Sequence, residues 1–217
     1  MTIKRLIDVA LASVALVLLA PLLLLIALLI KLDSAGPVFF RQERMGKGVQ
    51  PFLIYKFRTM VQDAPQKGGA LTLGQDPRIT RLGRWLRKTK IDELPQLLNV
   101  LRGEMGFVGP RPEVRKYVEM FPREFEQILE IRPGLTDLAS LKYRDESEVL
   151  GRFENAEEAY VKVILPDKIR LAQQYLERSS VFFDLTLICK TLLKLARPLD
   201  HGDPGLGEQI VRSRDLP

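Results

Sequence analysis

The apolar residues of this chain are concentrated in one long segment near the amino terminus. Residues 9–30 carry no charged side chain and only one polar one, Ser13. A helix rises 1.5 Å per residue, so the segment would be about 33 Å long, close to the roughly 30 Å hydrocarbon core of a bilayer. The pattern therefore predicts a segment embedded in a membrane.

Two features of this apolar segment favour a re-entrant arrangement. Pro21 follows Ala20 in its middle, and a proline kinks or breaks a helix. Basic residues flank both ends, with Lys4 and Arg5 before the segment and Lys31 after it. Basic flanks prefer the cytoplasm, and a single span can place only one end there. From these residues alone, a helix–break–helix and a bitopic span with a tolerated proline both stay open. A cleaved signal peptide is disfavoured, because the apolar core exceeds the usual 7–15 residues.

The remaining pattern predicts a small hairpin followed by helices. Residues 37–41 and 52–58 have the composition of short strands, and Gly46 lies between them, which indicates a β-hairpin. Gly68–Gly69 lies in a polar loop, and the segments 106–112 and 132–134 are predicted as a Gly/Pro loop and a turn. Helices are predicted over 80–89, 93–102, 114–129 with an interruption at Pro122, 145–162, 165–178 and 181–196.

These elements predict an α+β fold that is mostly helical. We expect a re-entrant membrane helix–break–helix, a small β-hairpin and short amphipathic helices at the membrane interface. The expected organisation has three parts. They are a membrane anchor over 1–33, a cytosolic catalytic domain over 34–198 and a polar tail over 199–217.

Composition narrows the chemistry. The net charge is +6 over 217 residues, which suits an anionic membrane surface, a phosphorylated ligand or a nucleic acid equally well. The single cysteine, Cys189, excludes an internal disulfide, and its apolar helical surroundings predict core packing. The single histidine, His201, lies in the polar tail, which argues against a histidine metal cluster or a Ser-His-Asp triad. The chemistry must therefore depend on carboxylates and cations.

Asp92 and Glu93 are adjacent acids at the start of a predicted helix. The ordinary explanation is structural, since Asp caps a helix and Glu complements its dipole. A glycosidase pair fits poorly, because its carboxyls flank a bond from roughly 5–9.5 Å apart. One carboxylate can hold Mg²⁺ on a diphosphate while its neighbour attacks phosphorus or orients the attack. The structural and catalytic explanations both stay open on these two residues alone.

Basic side chains recur around this acidic pair. Two lie on one face of a predicted strand, three share a helix face, and two stand in Pro-containing loops that can direct a guanidinium toward a phosphate. They are Lys56, Arg58, Arg84, Arg87, Lys88, Arg111 and Arg132. Each alone is an ordinary surface cation, whereas their recurrence beside a membrane segment favours a phosphorylated substrate.

With these motifs, the chain resembles the bacterial sugar transferase family, the small monotopic phosphoglycosyl transferases that act on polyprenyl phosphate. The similarity extends over most of the chain. The matching segments are Lys4-Arg5 with Asp8, the proline-containing apolar segment, and residues 36–40, 55–60, 76–80, 92–100, 108–112 and 132–136. Several long motifs in the right order make the resemblance specific.

The resemblance implies a two-step reaction. Asp92 would attack the β-phosphate of a nucleotide diphosphate sugar, usually a UDP-sugar, with Glu93 as its partner. UMP would leave, and polyprenyl (undecaprenyl) phosphate would then accept the phosphosugar from Asp92. Mg²⁺ would be held at Asp92 and Glu93, and Lys56, Arg87 and Arg111 would lie near the phosphates.

The resemblance also implies a place and partners. Both termini and the catalytic domain would be cytoplasmic, at the inner membrane of a bacterium, with membrane lipid as a partner and a homodimer left open. The product would enter glycoconjugate or exopolysaccharide assembly. Arg144 and Asp184 match further charged positions of the family. The membrane segment of the family is re-entrant, so the resemblance favours a re-entrant topology for this chain. The chain departs from the family pattern at three places. Ala20 stands where the family often has a serine, residues 137–140 differ from the sequence of many members, and Ala172 stands where some members have an acid.

Two rivals belong to other functional classes. A membrane-tethered nucleic-acid binder would explain the positive charge and would show salt-sensitive DNA binding that is unaffected by Asp92→Asn. No nucleic-acid motif is present in the sequence, and the cations cluster around acids. A non-catalytic membrane scaffold would keep the helices and release no UMP.

Overall fold

The structure, a computed structural model, describes residues 3–67, 72, 76–144, 146–151 and 153–196. Within these ranges the fold is mostly helical, with two small two-stranded sheets. The helices are α1 (Ile3–Asp33), α2 (Arg81–Thr89), α3 (Leu97–Arg102), α4 (Arg115–Val118), α5 (Pro122–Ile128), α6 (Leu138–Lys142), α7 (Glu146–Leu150), α8 (Ala156–Ala159), α9 (Leu165–Arg178) and α10 (Val181–Ala196). The strands are β1 (Phe39–Met45), β2 (Pro51–Phe57), β3 (Gly106–Val108) and β4 (Gly134–Thr136). The predicted tail with His201 and the Gly68–Gly69 pair lie outside the described residues.

Helix α1 runs without interruption through Pro21, so the structure lacks the break expected between Ala20 and Pro21. A proline inside a helix removes one backbone hydrogen bond, and the neighbouring turns can continue the helix on either side. By length and composition α1 is able to cross a membrane. One side of it is buried against the domain at Ala12 and Ile26, while Leu18 is 73% exposed on another.

Both ends of α1 bond to the rest of the domain. Near its start, the ammonium group of Lys4 donates to the carbonyl of Val108 at 3.0 Å and pairs with Asp184 at 2.6 Å. At its end, the Arg58 guanidinium donates to the carbonyl of Ser34 at 2.6 Å. Between them, the α1 residues Ala12, Leu16 and others pack on β2, α3 and β3. Helix α1 is thus an integral part of the domain core.

The predicted hairpin is confirmed. Strands β1 and β2 pair antiparallel, from Phe39 opposite Phe57 to Met45 opposite Pro51. The buried side chain of Asn99 in α3 holds the outer edge of β2, because its amide nitrogen donates to Leu53 O at 2.7 Å and its oxygen accepts from Tyr55 N at 3.1 Å. An amide that mimics a neighbouring strand in this way fixes the position of β2 relative to α3.

Strands β3 and β4 correct the prediction of a loop and a turn. They pair parallel, with Gly106 opposite Gly134 and Val108 opposite Thr136. Three-residue strands are too short to show an alternating pattern. The backbones approach so closely that a Cβ on Gly134 would lie 2.1 Å from the nitrogen of Gly109. Only glycine fits there.

The carboxy-terminal helices follow the predicted bounds of 165–178 and 181–196. The segment predicted as one helix over 145–162 is instead divided into α7, α8 and a π-helical turn, Tyr160–Ile164, which continues into α9. These helices enclose a core with α4, α5 and α6. Cys189 is exposed on α10, which corrects the expected core packing, because the buried side of α10 carries Asp184 and Leu187.

Candidate active site

The acidic pair lies in a tight turn between two helices. Thr80 caps the start of helix α2, and Lys90, with a left-handed backbone (φ 58°), follows its last residue. A 3-10 turn over Ile91–Gln96 then carries Asp92 and Glu93 and leads directly into α3. Neither this turn nor α3 has a side-chain cap. The structure therefore does not support capping as the role of Asp92.

Glu93 is held by two cations from distant parts of the chain. Its Oε1 lies 2.7 Å from Lys56 Nζ on β2 and 2.6 Å from an Arg111 nitrogen, and a second Arg111 nitrogen lies 3.4 Å from Oε2. Burial alone would raise the pKa of Glu93, but Arg111 and Lys56 hold that pKa well below its usual range. Glu93 is therefore a fixed anion that joins three elements.

Asp92 has a different environment from its neighbour. Its side chain is buried, it lines the cleft, and its Oδ1 has no hydrogen-bond partner. Burial raises the pKa of Asp92, and Lys56, Lys90 and Arg87 oppose that rise without cancelling it. An unpartnered buried carboxylate oxygen is costly to the fold, so its presence in a cleft favours a functional role.

The pair opens into a large cleft of about 1470 Å³. Basic side chains outnumber acidic ones in its lining. On the α2 side these include Arg84, Arg87, Lys88 and Lys90. Arg87 also donates to the Thr59 hydroxyl at 2.8 Å, which orients its guanidinium. A cleft of this size and sign suits a ligand that carries several negative charges.

The loop that carries Arg111 is held by β4 and α6. Gly134 N donates to Pro110 O at 3.0 Å, and Arg111 N donates to Asp137 Oδ2 at 3.2 Å. The other oxygen of Asp137 accepts from Ser140 N and caps α6. The rigid Pro-Arg-Pro segment thus places the guanidinium of Arg111 against Glu93.

The structure brings together most of the predicted site residues, but not all of them. Lys56, Arg87, Asp92, Glu93 and Arg111 share the cleft, and Arg58 and Arg144 also line it. The hydrogen bonds of Arg58 go to the end of α1, at Ile30 O and Ser34, so it holds that helix in place. The Arg144 guanidinium donates to Lys194 O.

Arg132 and Asp184 do not line the cleft. Arg132 donates to Gly103 O at 2.6 Å on the surface. Asp184 pairs with Lys4 and accepts from the Tyr175 hydroxyl at 2.6 Å. Both are structural contacts in this fold. Ala172, at a position where some members of the family have an acid, is buried in the helical core.

Sequence reasoning missed two buried polar groups near the site. Asn99 holds β2, the strand that carries Lys56, and its signal was a polar residue inside an apolar helix. Glu113 accepts from Tyr160 at 2.8 Å and pairs with Arg44 at 3.3 Å directly after the Arg111 loop. The position of Glu113 next to the Arg111 loop was the feature of the sequence that could have identified it. Both support the elements that carry the site cations.

The acidic pair offers a limited donor set for a metal. The described residues include no cluster of three or more His, Cys, Asp or Glu side chains. Mg²⁺ needs no such cluster, because it keeps several waters and binds one or two carboxylates together with substrate phosphates. The free Oδ1 of Asp92 and the ionised Glu93 fit that requirement.

Comparison with known proteins identifies a family and several relatives. The family model described as "Bacterial sugar transferase" matches residues 1–198. The chain is 40% identical over 193 residues to a UDP-N-acetylgalactosamine-undecaprenyl-phosphate N-acetylgalactosaminephosphotransferase of Aeromonas hydrophila, covering 88% of this chain and 43% of the relative.

Two further relatives are similar over most of this chain. A UDP-glucose:undecaprenyl-phosphate glucose-1-phosphate transferase of Escherichia coli is 35% identical, covering 88% of this chain and 40% of the relative. An exopolysaccharide production protein of Rhizobium meliloti is 38% identical, covering 87% of this chain and 83% of the relative. The chain thus spans less than half the length of the first two relatives.

Proposed function

Because the chain belongs to the bacterial sugar transferase family, we propose that it transfers a phosphosugar from a UDP-sugar to undecaprenyl phosphate. The products are an undecaprenyl diphosphate sugar and UMP. The transfer is the first membrane step of glycoconjugate or exopolysaccharide assembly. One observation carries the proposal: Asp92 presents an unpartnered buried oxygen to a basic cleft, beside a glutamate that two cations hold ionised.

In the first step an oxygen of the Asp92 carboxylate attacks the β-phosphorus of the UDP-sugar. A bond forms between that oxygen and phosphorus, and the bond from phosphorus to the bridging oxygen breaks. UMP leaves with the electron pair, and the phosphosugar stays on Asp92. In the second step a phosphate oxygen of the lipid attacks the same phosphorus and frees the carboxylate. Each step presents one phosphorylated substrate to the site.

The other residues of the site stabilise the charge of the diphosphate and orient the acidic pair. Arg87 and Arg111 line the cleft as fixed guanidinium groups and would neutralise the diphosphate oxygens. Lys56 holds Glu93 and adds a partly buried positive charge near Asp92. Mg²⁺, when bound by Asp92 and Glu93 with the diphosphate, would supply further charge neutralisation.

The topology that fits this function is monotopic, with the catalytic domain and both termini in the cytoplasm of a bacterium. A helix that spans the bilayer would separate Lys4 from Ser34 by the whole membrane. Both ends of α1 bond to the same domain, which supports a helix whose two ends stay on one side of the membrane. The exposed Phe182 and Leu185 support an interfacial position for α10.

The covalent intermediate provides the test. The protein is incubated with UDP-N-acetylgalactosamine or UDP-glucose without acceptor, and the peptide that contains Asp92 is analysed by mass spectrometry. We expect a phosphosugar adduct on Asp92 that disappears when undecaprenyl phosphate is added. Asp92→Asn should lose both the adduct and turnover, whereas Asp63→Asn, at an exposed carboxylate, should keep them. Full turnover by Asp92→Asn would overturn the proposal.

A further inference from the structure

An apolar groove joins the membrane helix to the cleft. Its lining includes Ala15 and Leu19 of α1, Leu192 of α10, Phe107 of β3 and Leu135 of β4. Phe107 packs against the α1 cluster and also against the α10 cluster, so β3 contacts both. The groove is therefore lined by the two helices and by the parallel strand pair.

The two ends of the groove carry different charged groups. Near the starts of α1 and α10 the Lys4–Asp184 pair joins the helices, and the pair lines a small cavity together with Leu11 and Ile188. Toward the cleft, Arg144 donates to the backbone of Lys194, and both residues line the same cavity as the groove. The groove thus passes from apolar side chains into the basic cleft.

Both helices expose apolar side chains next to the groove. Leu18 of α1 is 73% exposed, and Leu192 and Leu193 of α10 are 60% and 62% exposed. Apolar surface on this scale is stable only against lipid or a partner. An apolar passage with a lipid-facing side and a cationic inner end is complementary to an amphiphile that has a hydrocarbon chain and an anionic head.

We infer that the groove between α1 and α10 binds the isoprenoid chain of the lipid acceptor and directs its phosphate toward Arg144, Lys194 and the acidic pair. This inference rests on the proposed function and adds that the enzyme binds the isoprenoid chain of the acceptor as well as its phosphate. Recognition of the chain, in addition to the phosphate, lets the enzyme prefer a long isoprenoid over a short one. Leu192 is then a determinant of acceptor specificity.

The test compares two neighbouring leucines of nearly equal exposure. Leu192→Gln makes the groove polar, and Leu193→Gln makes the same change outside it, since Leu193 does not line the cavity. For each protein in one detergent, kcat/KM is measured with undecaprenyl phosphate and with farnesyl phosphate. The ratio of the two values reports chain recognition within one preparation. The burst of UMP released by the wild type without acceptor reports the donor reaction separately.

We expect the wild type to prefer undecaprenyl phosphate and Leu192→Gln to lower the ratio roughly tenfold, the scale expected for spoiling an apolar pocket. Leu193→Gln should leave the ratio unchanged. Leu192→Met keeps the position apolar and should give a ratio close to that of the wild type. An equal fall in both variants, no fall in either, or no chain preference in the wild type overturns the groove assignment alone. The absence of a UMP burst in the wild type with every UDP-sugar offered overturns the proposed function, and the groove assignment with it.

Discussion

Arg111 bonds to both carboxylate oxygens of Glu93, at 2.6 Å to Oε1 and 3.4 Å to Oε2. Lys56 reaches the same Oε1 from β2. One carboxylate therefore joins a strand, the turn that carries the acidic pair, and the loop after β3. This arrangement leaves the adjacent Asp92 as the carboxylate that can react.

Replacing Arg111 by lysine should impair the site although the charge is kept. Lysine cannot form the bidentate contact with Glu93. Glu93 and the positive charge at position 111 would therefore both lose their fixed positions. We expect kcat/KM for the UDP-sugar to fall roughly 10- to 100-fold, the scale of a misplaced catalytic group. Arg115→Lys, at an exposed pair with Glu43, is the control and should retain wild-type kinetics. Wild-type kinetics in Arg111→Lys would contradict the role given to the contact.

The pH dependence should report the ionisation of Asp92. Burial raises the pKa of Asp92 and Lys56 lowers it, and only the ionised carboxylate can attack. Activity is therefore present above this raised pKa and is lost as the pH falls through it. Lys56→Met removes the strongest of the three opposing cations, so the acid limb of the kcat/KM profile should move to higher pH. Lys67→Met, at an exposed pair with Asp63, should leave the limb in place. A limb that moves to lower pH in Lys56→Met would refute this assignment.

Gly134→Ala should separate β3 from β4. The added Cβ would lie 2.1 Å from Gly109 N and 2.6 Å from Gly109 O, and backbone atoms there cannot move aside without opening the strand pair. We expect the free energy of unfolding to fall by about 1–3 kcal/mol, as for other overpacked sites. Activity should fall as well, because Gly134 also holds the Arg111 loop through Pro110.

Gly48→Ala is the control for this prediction, and chemical denaturation and kcat/KM are measured for both variants. No atom lies within 4 Å of its added Cβ, although its backbone is left-handed (φ 66°). It should lose some stability and keep full kcat/KM. Equal kinetics in the two variants would show that the close approach of the strands does not position the loop.

The position of the amino terminus tests the topology. In a Cys189→Ser background, which removes the exposed thiol, Thr2→Cys places a single thiol just before α1. A membrane-impermeant thiol reagent should label it only after the inner membrane is permeabilised, since a monotopic helix keeps that end in the cytoplasm. Labelling from the periplasmic side of an intact inner membrane would establish a spanning helix instead.

The sequence predicted the elements that have a clear period or strong boundaries. The bounds of α9 and α10 follow from apolar spacing and from the polar Ser179–Ser180 between them, and the hairpin follows from apolar strands around Gly46. Strand pair β3–β4 was missed because its pairing depends on backbone approach between residues far apart in sequence. Side-chain pattern does not encode that approach.

The candidate site was predictable in its residue types but not in its pairings. The sequence predicted that Asp92 lies near cations, but it could not show that Arg111 and Lys56 form their ion pairs with Glu93. Arg132 lies in a family motif and Asp184 matches a further charged position of the family, yet both form contacts outside the cleft. Which cation meets which acid is decided by tertiary packing, and local spacing carries no information about it.

Helix α1 also depends on contacts with residues that are synthesised much later than itself. Lys4 must find Tyr175, 171 positions later. Contacts between such distant residues form late and slowly. Until then the buried side of α1 lacks its partner in the domain. Without α1, Ile54 and Leu97 would be uncovered, so removal of the helix would open the core of the domain as well as remove its apolar segment.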